Sequence, residues 1–325
     1  QAQASALLPA WAERQRGGSI RECHGDLHMG NVALIDGELM PFDCIEFDPG
    51  LRWIDVMSDV AFLTMDLKAH GRADLACRFL DVWLQCSGDH AGLRVLPFYE
   101  VYRALVRAMT ADLSGPVPQR GPAPDYLACA AQWASPTPGT ARLLITHGLS
   151  GSGKSTLAAQ LLRAAGAIRI RSDVERKRLF GLGPLERSSA MGIDIYTEQA
   201  TQDTFDSLRQ RAGEALRAGY PVIVDAAFLR VHERRRFQAL AAELQVPFSI
   251  LDCTASAATL RQRVAARAAT GTDASEADVA VLERQLASQQ PLEADEQALA
   301  MAVPTDQAVD VDALVRCWRA AAAPR

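Results

Sequence analysis

The sequence predicts an α/β protein: a C-terminal domain with a parallel sheet flanked by helices, preceded by a mostly helical domain that carries a β-hairpin. Three observations predict it. Strand-like and helix-like runs alternate after residue 142, residues 51–112 repeat apolar positions at helical spacing, and Gly148-Leu-Ser-Gly-Ser-Gly-Lys-Ser155 stands between a strand-like and a helix-like run. Alternating β and α elements imply a parallel sheet with helices on both faces. A length of 325 residues suggests two domains, and 49% apolar residues suffice for two cores.

In the first half, Val32-Ala-Leu-Ile and Glu38-Leu-Met-Pro flank Asp36-Gly37, a hairpin turn signal. Folding that hairpin sets Asn31 opposite Phe42 and puts Asp43 just beyond. Residues 24–31 read His-Gly-Asp-Leu-His-Met-Gly-Asn, the H-x-D-x-x-x-x-N spacing of a kinase catalytic loop. Asp26 would accept or orient the proton of an acceptor hydroxyl, and Asn31 with Asp43 would offer oxygen ligands to Mg²⁺. The plainer alternative makes Asp26 and Asn31 turn residues beside a structural histidine. Helical periodicity then runs through 56–67, 76–84 and 99–113. Four prolines in 115–124 and the Pro/Gly/Ser/Thr stretch 134–141 mark a boundary. The domains expected are 1–134 and 142–325, joined by a linker at 135–141.

In the second half the strand-like runs are 142–148, 167–171, 221–225, 247–252 and a weaker 299–303. Helices are expected at 155–165, 195–218, 231–244, 256–268, 273–288 and 311–322. Residues 148–155 match G-x-x-x-x-G-K-[ST] in full. Gly148, Ser150, Gly151, Ser152, Gly153 and Thr156 would present backbone N–H groups to phosphate oxygens, Lys154 would reach the β/γ-phosphates, and the Ser155 hydroxyl is placed for Mg²⁺. The helix start adds its positive dipole end there. Val222-Ile-Val-Asp225 is an apolar strand ending in a carboxylate, so Asp225 is a second metal candidate; a helix N-cap is its ordinary alternative. Ile168-Arg-Ile-Arg-Ser-Asp173 also ends a strand in Asp, where ligands bind in open α/β sheets, and Asp173 is the candidate to orient the acceptor hydroxyl. Arg176 is evenly balanced between a site role and a solvated face; Arg178 and the run Arg234-Arg-Arg236 read as solvated. Arg263 and Arg267 share a helical face before Ala269-Thr-Gly-Thr and Asp273-Ala-Ser-Glu276, a capping-box pattern. Together they look like a lid whose arginines would neutralise charge on a transferring phosphoryl group. Arg261 reads as an ordinary surface arginine. Arg187, Asp194 and Tyr196 lie in a polar segment with no specific signature.

The net charge is −5, from 34 basic and 39 acidic residues, which argues against a large nucleic-acid footprint. The seven cysteines are odd in number and show no C-x-x-C spacing, so neither a disulfide framework nor a zinc site is indicated. No apolar run reaches a membrane span, and no basic segment followed by an apolar core marks a signal peptide; a cytoplasmic protein with no membrane partner is expected. Oligomeric state is not legible.

On these residues, the stretch from about 20 to 115 resembles the C-terminal lobe of the aminoglycoside phosphotransferase and choline kinase superfamily. That resemblance implies a catalytic Asp26, metal held by Asn31 and Asp43, and Asp55 or Asp59 bracing the loop. The family's N-terminal lobe, with its phosphate-covering loop and strand lysine, has no counterpart in the residues before Arg21. Residues 142–320 resemble the small P-loop kinases acting on gluconate, shikimate and polynucleotide 5′-hydroxyls. The pairing is similar to bacterial proteins described as bifunctional aminoglycoside phosphotransferase/ATP-binding proteins. The function expected is an ATP- and Mg²⁺-dependent kinase acting on a hydroxyl of a small polar metabolite. The alternatives are a nucleotide-dependent switch or scaffold with weak ATPase activity, or a nucleoside or polynucleotide 5′-hydroxyl kinase.

Overall fold

The structure, a computed structural model, describes residues 2–114, 124–134, 139–188, 192, 194–270 and 273–322. Most of the expected linker (135–138), most of the proline stretch (115–123) and Gly271-Thr272 of the expected lid loop lie outside the described residues. The chain divides into two compact units, Gln1–Leu80 with Asp89–Pro138, and Asp81–Gly88 with Gly139–Arg325. The second unit therefore takes in a short segment, 81–88, that composition alone groups with the first half.

The first unit runs α1 (Ala2–Arg16), β1 (Ile20–Glu22), β2 (Val32–Ile35), β3 (Glu38–Pro41), α2 (Pro49–Arg52), β4 (Trp53–Asp55), α3 (Val56–Ala69), the start of α4 (Ala73–Ser87), α5 (Leu96–Ser114) and α6 (Tyr126–Trp133). The β2–β3 hairpin forms with Leu34 opposite Leu39, and the Phe42 N–H donates to the Asn31 carbonyl at 3.0 Å. Asp36 and Gly37 both take positive φ (51° and 85°), the turn geometry that an Asp-Gly pair favours. β1 pairs antiparallel with β4, a small ribbon that helical periodicity over 51–112 does not announce. α3, α5 and α6 close a core of Phe62, Met65, Ala104, Tyr126 and Ala130. Two buried polar links brace it: Arg14 forks onto Asp55 with two bonds of 2.7 Å, and the Tyr126 hydroxyl donates to Asp66 at 2.6 Å.

The second unit continues with β5 (Arg142–His147), α7 (Lys154–Ala165), β6 (Ile168–Arg171), α8 (Ser172–Leu179), α9 (Glu198–Arg217), β7 (Pro221–Asp225), α10 (Val231–Glu243), β8 (Phe248–Thr254), α11 (Ala257–Thr270), α12 (Val279–Ser288), α13 (Ala294–Gln297), β9 (Ala300–Pro304) and α14 (Val311–Ala320). Its five strands lie in the order β6-β7-β5-β8-β9, and every pairing is parallel. Two of the three interior strands, β5 and β7, carry unbroken apolar runs because helices cover both faces: Leu143, Leu144, Ile145, Val222, Ile223 and Val224 are fully buried. Phe205, Phe228 and Phe237 pack edge-to-face beneath α9 and α10, with centroids 5.0–6.4 Å apart.

Several expectations need correction. The helix expected at 273–288 starts at Val279 with Asp278 as its N-cap, so the Asp273–Glu276 capping box does not form. Asp273 makes a tighter local turn instead, accepting from the Ser275 N–H at 2.7 Å as well as from Arg171 at 3.1 Å, and Glu276 accepts from Ser188 and Lys177. Arg234 is not on a solvated face. It is 1% exposed, forks onto Glu296 with two bonds of 2.8 Å, and donates to the Phe228, Gln290 and Pro291 carbonyls. Arg235 and Arg236 do stay at the surface, paired with Glu293, Asp295 and Asp206. Arg178 is also engaged, donating to the Leu84, Gln85 and Cys86 carbonyls, the unsatisfied end of α4. Arg261 is the exposed partner of Glu283, as expected of a surface residue.

Candidate active site

The 148–155 loop joins β5 to α7. Gly148, Gly151 and Gly153 take φ of 134°, 83° and 84°, values that suit glycine. Space enforces the same choice: a Cβ on Gly148 would lie 2.3 Å from the Cys253 carbonyl, and one on Gly151 would lie 2.7 Å from that of Leu260. No side chain caps the first turn of α7, so its N–H groups are left for an anion. Thr305 and Gln285 support the loop from outside. The Thr305 hydroxyl donates to the Ser152 carbonyl at 2.9 Å, and Gln285 accepts from the Ser150 N–H at 2.8 Å.

Lys154 turns its ammonium onto the Leu149 carbonyl at 2.7 Å. Burial pushes its pKa below the ordinary lysine value, against the pull of the Asp225 and Asp173 charges. An anionic ligand would relieve that desolvation. Parallel register brings the end of β7 beside this loop, and the Ser155 hydroxyl donates to Asp225 Oδ1 at 3.1 Å. Asp225 does not cap a helix, because α10 starts at Val231. Its Oδ2 is buried without a hydrogen-bond partner. A buried carboxylate oxygen in that state, beside a serine hydroxyl, fits a hydrated Mg²⁺.

Two guanidinium groups flank that oxygen. Arg171 Nε is 3.6 Å from it and Arg169 Nη1 is 4.0 Å. Arg171 also bonds Asp273 at 3.1 Å; burial would lower its pKa, but the Asp225, Asp273 and Asp173 carboxylates hold it above the ordinary value. Both arginines alternate with isoleucine along β6, so they share one face of an edge strand. That alternation was readable in the sequence, but its meaning depends on which strand lies alongside.

One cavity of about 580 Å³ is lined by Gly151, Lys154, Ser155, Asp173 and Asp225 together, with Arg263 and Arg267. Ser150, Gly153 and Thr156 of the loop also reach it, whereas Ser152 is buried behind. Burial lowers the pKa of Arg176 as it does that of Lys154; the charge of Asp173, in the first turn of α8, opposes that fall in both and helps to hold Arg171 above its ordinary value. Arg176 is a cavity residue: it donates to the Ile195 carbonyl and the Thr201 hydroxyl and lies 5.2 Å over the Tyr196 ring. Phe205, Phe228, Arg230 and Glu233 complete that part of the wall and carried no motif. Phe228 is fully buried with φ of 50°, a costly backbone for an aromatic residue that its packing enforces. Arg263 is tied to Thr305 at 2.9 and 2.8 Å, and Arg267 donates to the Ala277 carbonyl at 2.9 Å. Arg187 donates to the Ser275 carbonyl and Asp194 accepts from the Tyr196 N–H; only Tyr196 of those three lines the cavity.

In the first unit, Asp26 accepts from Asn31 Nδ2 at 3.0 Å and lies 3.4 Å from His28 Nε2. The hydrogen bond from His28 holds its pKa below the ordinary value. Of Asp55 and Asp59, Asp59 accepts from the His24 and Gly25 N–H groups at 3.0 Å, while Asp55 pairs with Arg14. Asn31 is buried, and Asp43 is exposed at the hairpin's open end with φ of 59°. Among the described residues, no three His, Cys, Asp or Glu side chains gather as a metal cluster.

Residues 143–292 match the family model described as "AAA domain". An uncharacterized protein of Mycobacterium tuberculosis strain H37Rv is 32% identical over 268 residues, covering 81% of this chain and 53% of the relative. An uncharacterized protein of Mycobacterium bovis gives the same figures. The chain thus spans about half the length of the curated relatives it matches. Among solved structures, a sugar kinase from Janibacter sp. HTCC2649 shows 19% identity with a TM-score of 0.40, over 55% of this chain and 93% of that one. A gluconokinase from Sinorhizobium meliloti 1021 shows 20% identity and a TM-score of 0.40, over 55% and 89%. No helix among the described residues is long and apolar enough to cross a membrane. The second unit of this chain has a P-loop fold, a five-stranded parallel sheet with its glycine loop between β5 and α7.

Proposed function

We propose that the second unit is an ATP- and Mg²⁺-dependent kinase that transfers the γ-phosphoryl group to a hydroxyl of a small polar metabolite. The observation that carries this reading is the shared cavity, where the glycine loop, Lys154, Asp225 and Asp173 line one volume. The open first turn of α7 and the loop N–H groups would cradle the phosphates. Lys154 would stabilise the γ-phosphoryl as its bonds change. Ser155 and Asp225 would hold Mg²⁺, which supplies charge neutralisation on the β/γ-oxygens when bound. Asp173 would orient the acceptor hydroxyl and accept its proton, while Arg267, with Arg263 at the loop's flank, would offset developing negative charge. Phosphoryl transfer is mainly positioning and charge stabilisation, so this set is sufficient.

Asp173→Asn tests the acceptor role. Acceptor-dependent ADP release should fall about 100-fold, the scale of a lost general base, with nucleotide affinity unchanged. Unchanged turnover would remove Asp173 from the reaction. Slow ATP hydrolysis insensitive to every acceptor would favour the nucleotide switch, and activity confined to oligonucleotides would favour the 5′-hydroxyl kinase. For the first unit, Asp26 with Asn31 and Asp43 remains the arrangement that a phosphotransferase loop of the resembled family would use, and we assign it no part in the turnover proposed for the second unit.

A further inference from the structure

Asp225 Oδ2 is a buried anion with no hydrogen bond and two arginines nearby, so something must keep those arginines from closing on it. Arg171 is restrained by Asp273. Arg169 is restrained by a residue far from every motif in the chain. Its Nη2 donates to Asp81 Oδ2 at 2.6 Å and its Nε to Asp81 Oδ1 at 3.3 Å. The same guanidinium uses Nη1 to donate to the Ser155 carbonyl at 3.2 Å. Arg169 and Asp81 are 8% and 5% exposed, and Gln85 Nε2 adds a 2.8 Å bond to Asp81 Oδ2.

We infer that Asp81 is a positioning residue for the metal side of the nucleotide site: it holds the Arg169 guanidinium off Asp225 and so leaves Asp225 Oδ2 available to a divalent cation. The inference rests on the nucleotide-binding reading given above. A guanidinium is a rigid fork of donors that cannot lose its charge, and a buried one without its carboxylate is costly. If Asp81 is neutralised, the carboxylate oxygen within 4.0 Å of Arg169 is Asp225 Oδ2, which has no hydrogen bond to give up. The ion pair formed there would compete with the cation. It would also pull the Arg169 bond away from the Ser155 carbonyl, in the first turn of α7. Asp81 lies 88 residues before Arg169 and outside the matched region 143–292, yet within the second compact unit.

The test measures the Mg²⁺ dependence of binding of N-methylanthraniloyl-ATP by fluorescence, with the full chain. Asp81→Asn should raise the half-saturating Mg²⁺ concentration roughly tenfold, the scale expected for a coupled charge pair, and leave Mg²⁺-free nucleotide binding no weaker. Asp81→Asn combined with Arg169→Met should return the Mg²⁺ curve to within about threefold of wild type, because the competing guanidinium is gone. A purely structural Asp81 predicts instead a lowered urea midpoint and weaker nucleotide binding with and without Mg²⁺ alike, the half-saturating Mg²⁺ concentration staying at the wild-type value. If Asp81→Asn does not fold, Asp81→Glu, which keeps the charge but displaces the fork, should raise half-saturating Mg²⁺ about two- to threefold. An unchanged curve in the single variants, or a shift that the double variant retains, overturns the inference. Wild-type protein that binds the probe without any response to Mg²⁺, or not at all, overturns the nucleotide reading on which it rests.

Discussion

Asp26 in the first unit and Asp225 in the second both follow a motif, yet they are held in opposite ways. Asp26 engages His28 and Asn31 and shares its charge with solvent. Asp225 bonds Ser155 through one oxygen and keeps the other buried without a hydrogen bond. The same contrast holds for their surroundings. The glycine loop, Lys154 and Asp173 line a single cavity with Asp225, whereas Asn31 turns its amide to Asp26 and Asp43 is exposed at a hairpin end. A carboxylate already paired with neighbours stabilises its own loop. One that keeps an oxygen buried without a hydrogen bond, with guanidinium groups held 3.6 and 4.0 Å away, is poised for a ligand.

The comparison can be sharpened by removing a paired buried charge from the second unit itself. Arg234→Ala strands Glu296 in the interior and should cost about 3–5 kcal/mol of stability, read from urea midpoints. The nucleotide affinity of the folded fraction should not change, and a loss of affinity at full folding would show that Arg234 is part of the site. Gly148→Ala comes next. Its Cβ would meet the Cys253 carbonyl at 2.3 Å in a φ of 134°, so the loop must shift. A cost of roughly 1–3 kcal/mol is expected, together with weakened nucleotide binding; wild-type binding would mean the loop geometry is not what holds phosphate. The smallest effect is expected at Asp26. Its folded pKa is lowered from the ordinary 3.8, so its stabilisation is present above that value and is lost as pH falls through the lower folded one. The urea midpoint of Asp26→Ala should fall below wild type at neutral pH and converge with it under strongly acid conditions. Nucleotide binding should be unaffected throughout, and a binding defect would break the separation between the two sites.

How much of this was legible in the sequence follows from how local each interaction is. The glycine loop is encoded within eight residues, and its flanking strand and helix appear as expected. The hairpin was legible for the same reason, since Asp36-Gly37 sets its register. Asp225 could be picked out as a strand-ending carboxylate, and parallel pairing with β5 then explains its position. The Asp273–Glu276 pattern failed because Ser188 and Lys177 hold Glu276 with charge-assisted bonds, while Asp273 closes a local turn on the Ser275 N–H and pairs with Arg171. The arginine run misled at Arg234, where one side chain of three points into the interior. Asp81 and Arg169 were invisible, because nothing in either segment signals a partner 88 residues away. Arg176 was resolved by contact: it is a wall of the cavity, stacked on Tyr196.

The most direct test of the central claim is ADP release by the full chain against a panel of sugars, sugar acids, nucleosides and aminoglycosides, with Lys154→Ala and Asp26→Ala run beside it. Acceptor-dependent release should fall at least about 100-fold in Lys154→Ala, as for loss of a transition-state charge donor, and persist in Asp26→Ala. Release that survives Lys154→Ala but vanishes in Asp26→Ala would contradict the account and move the reaction to the first unit.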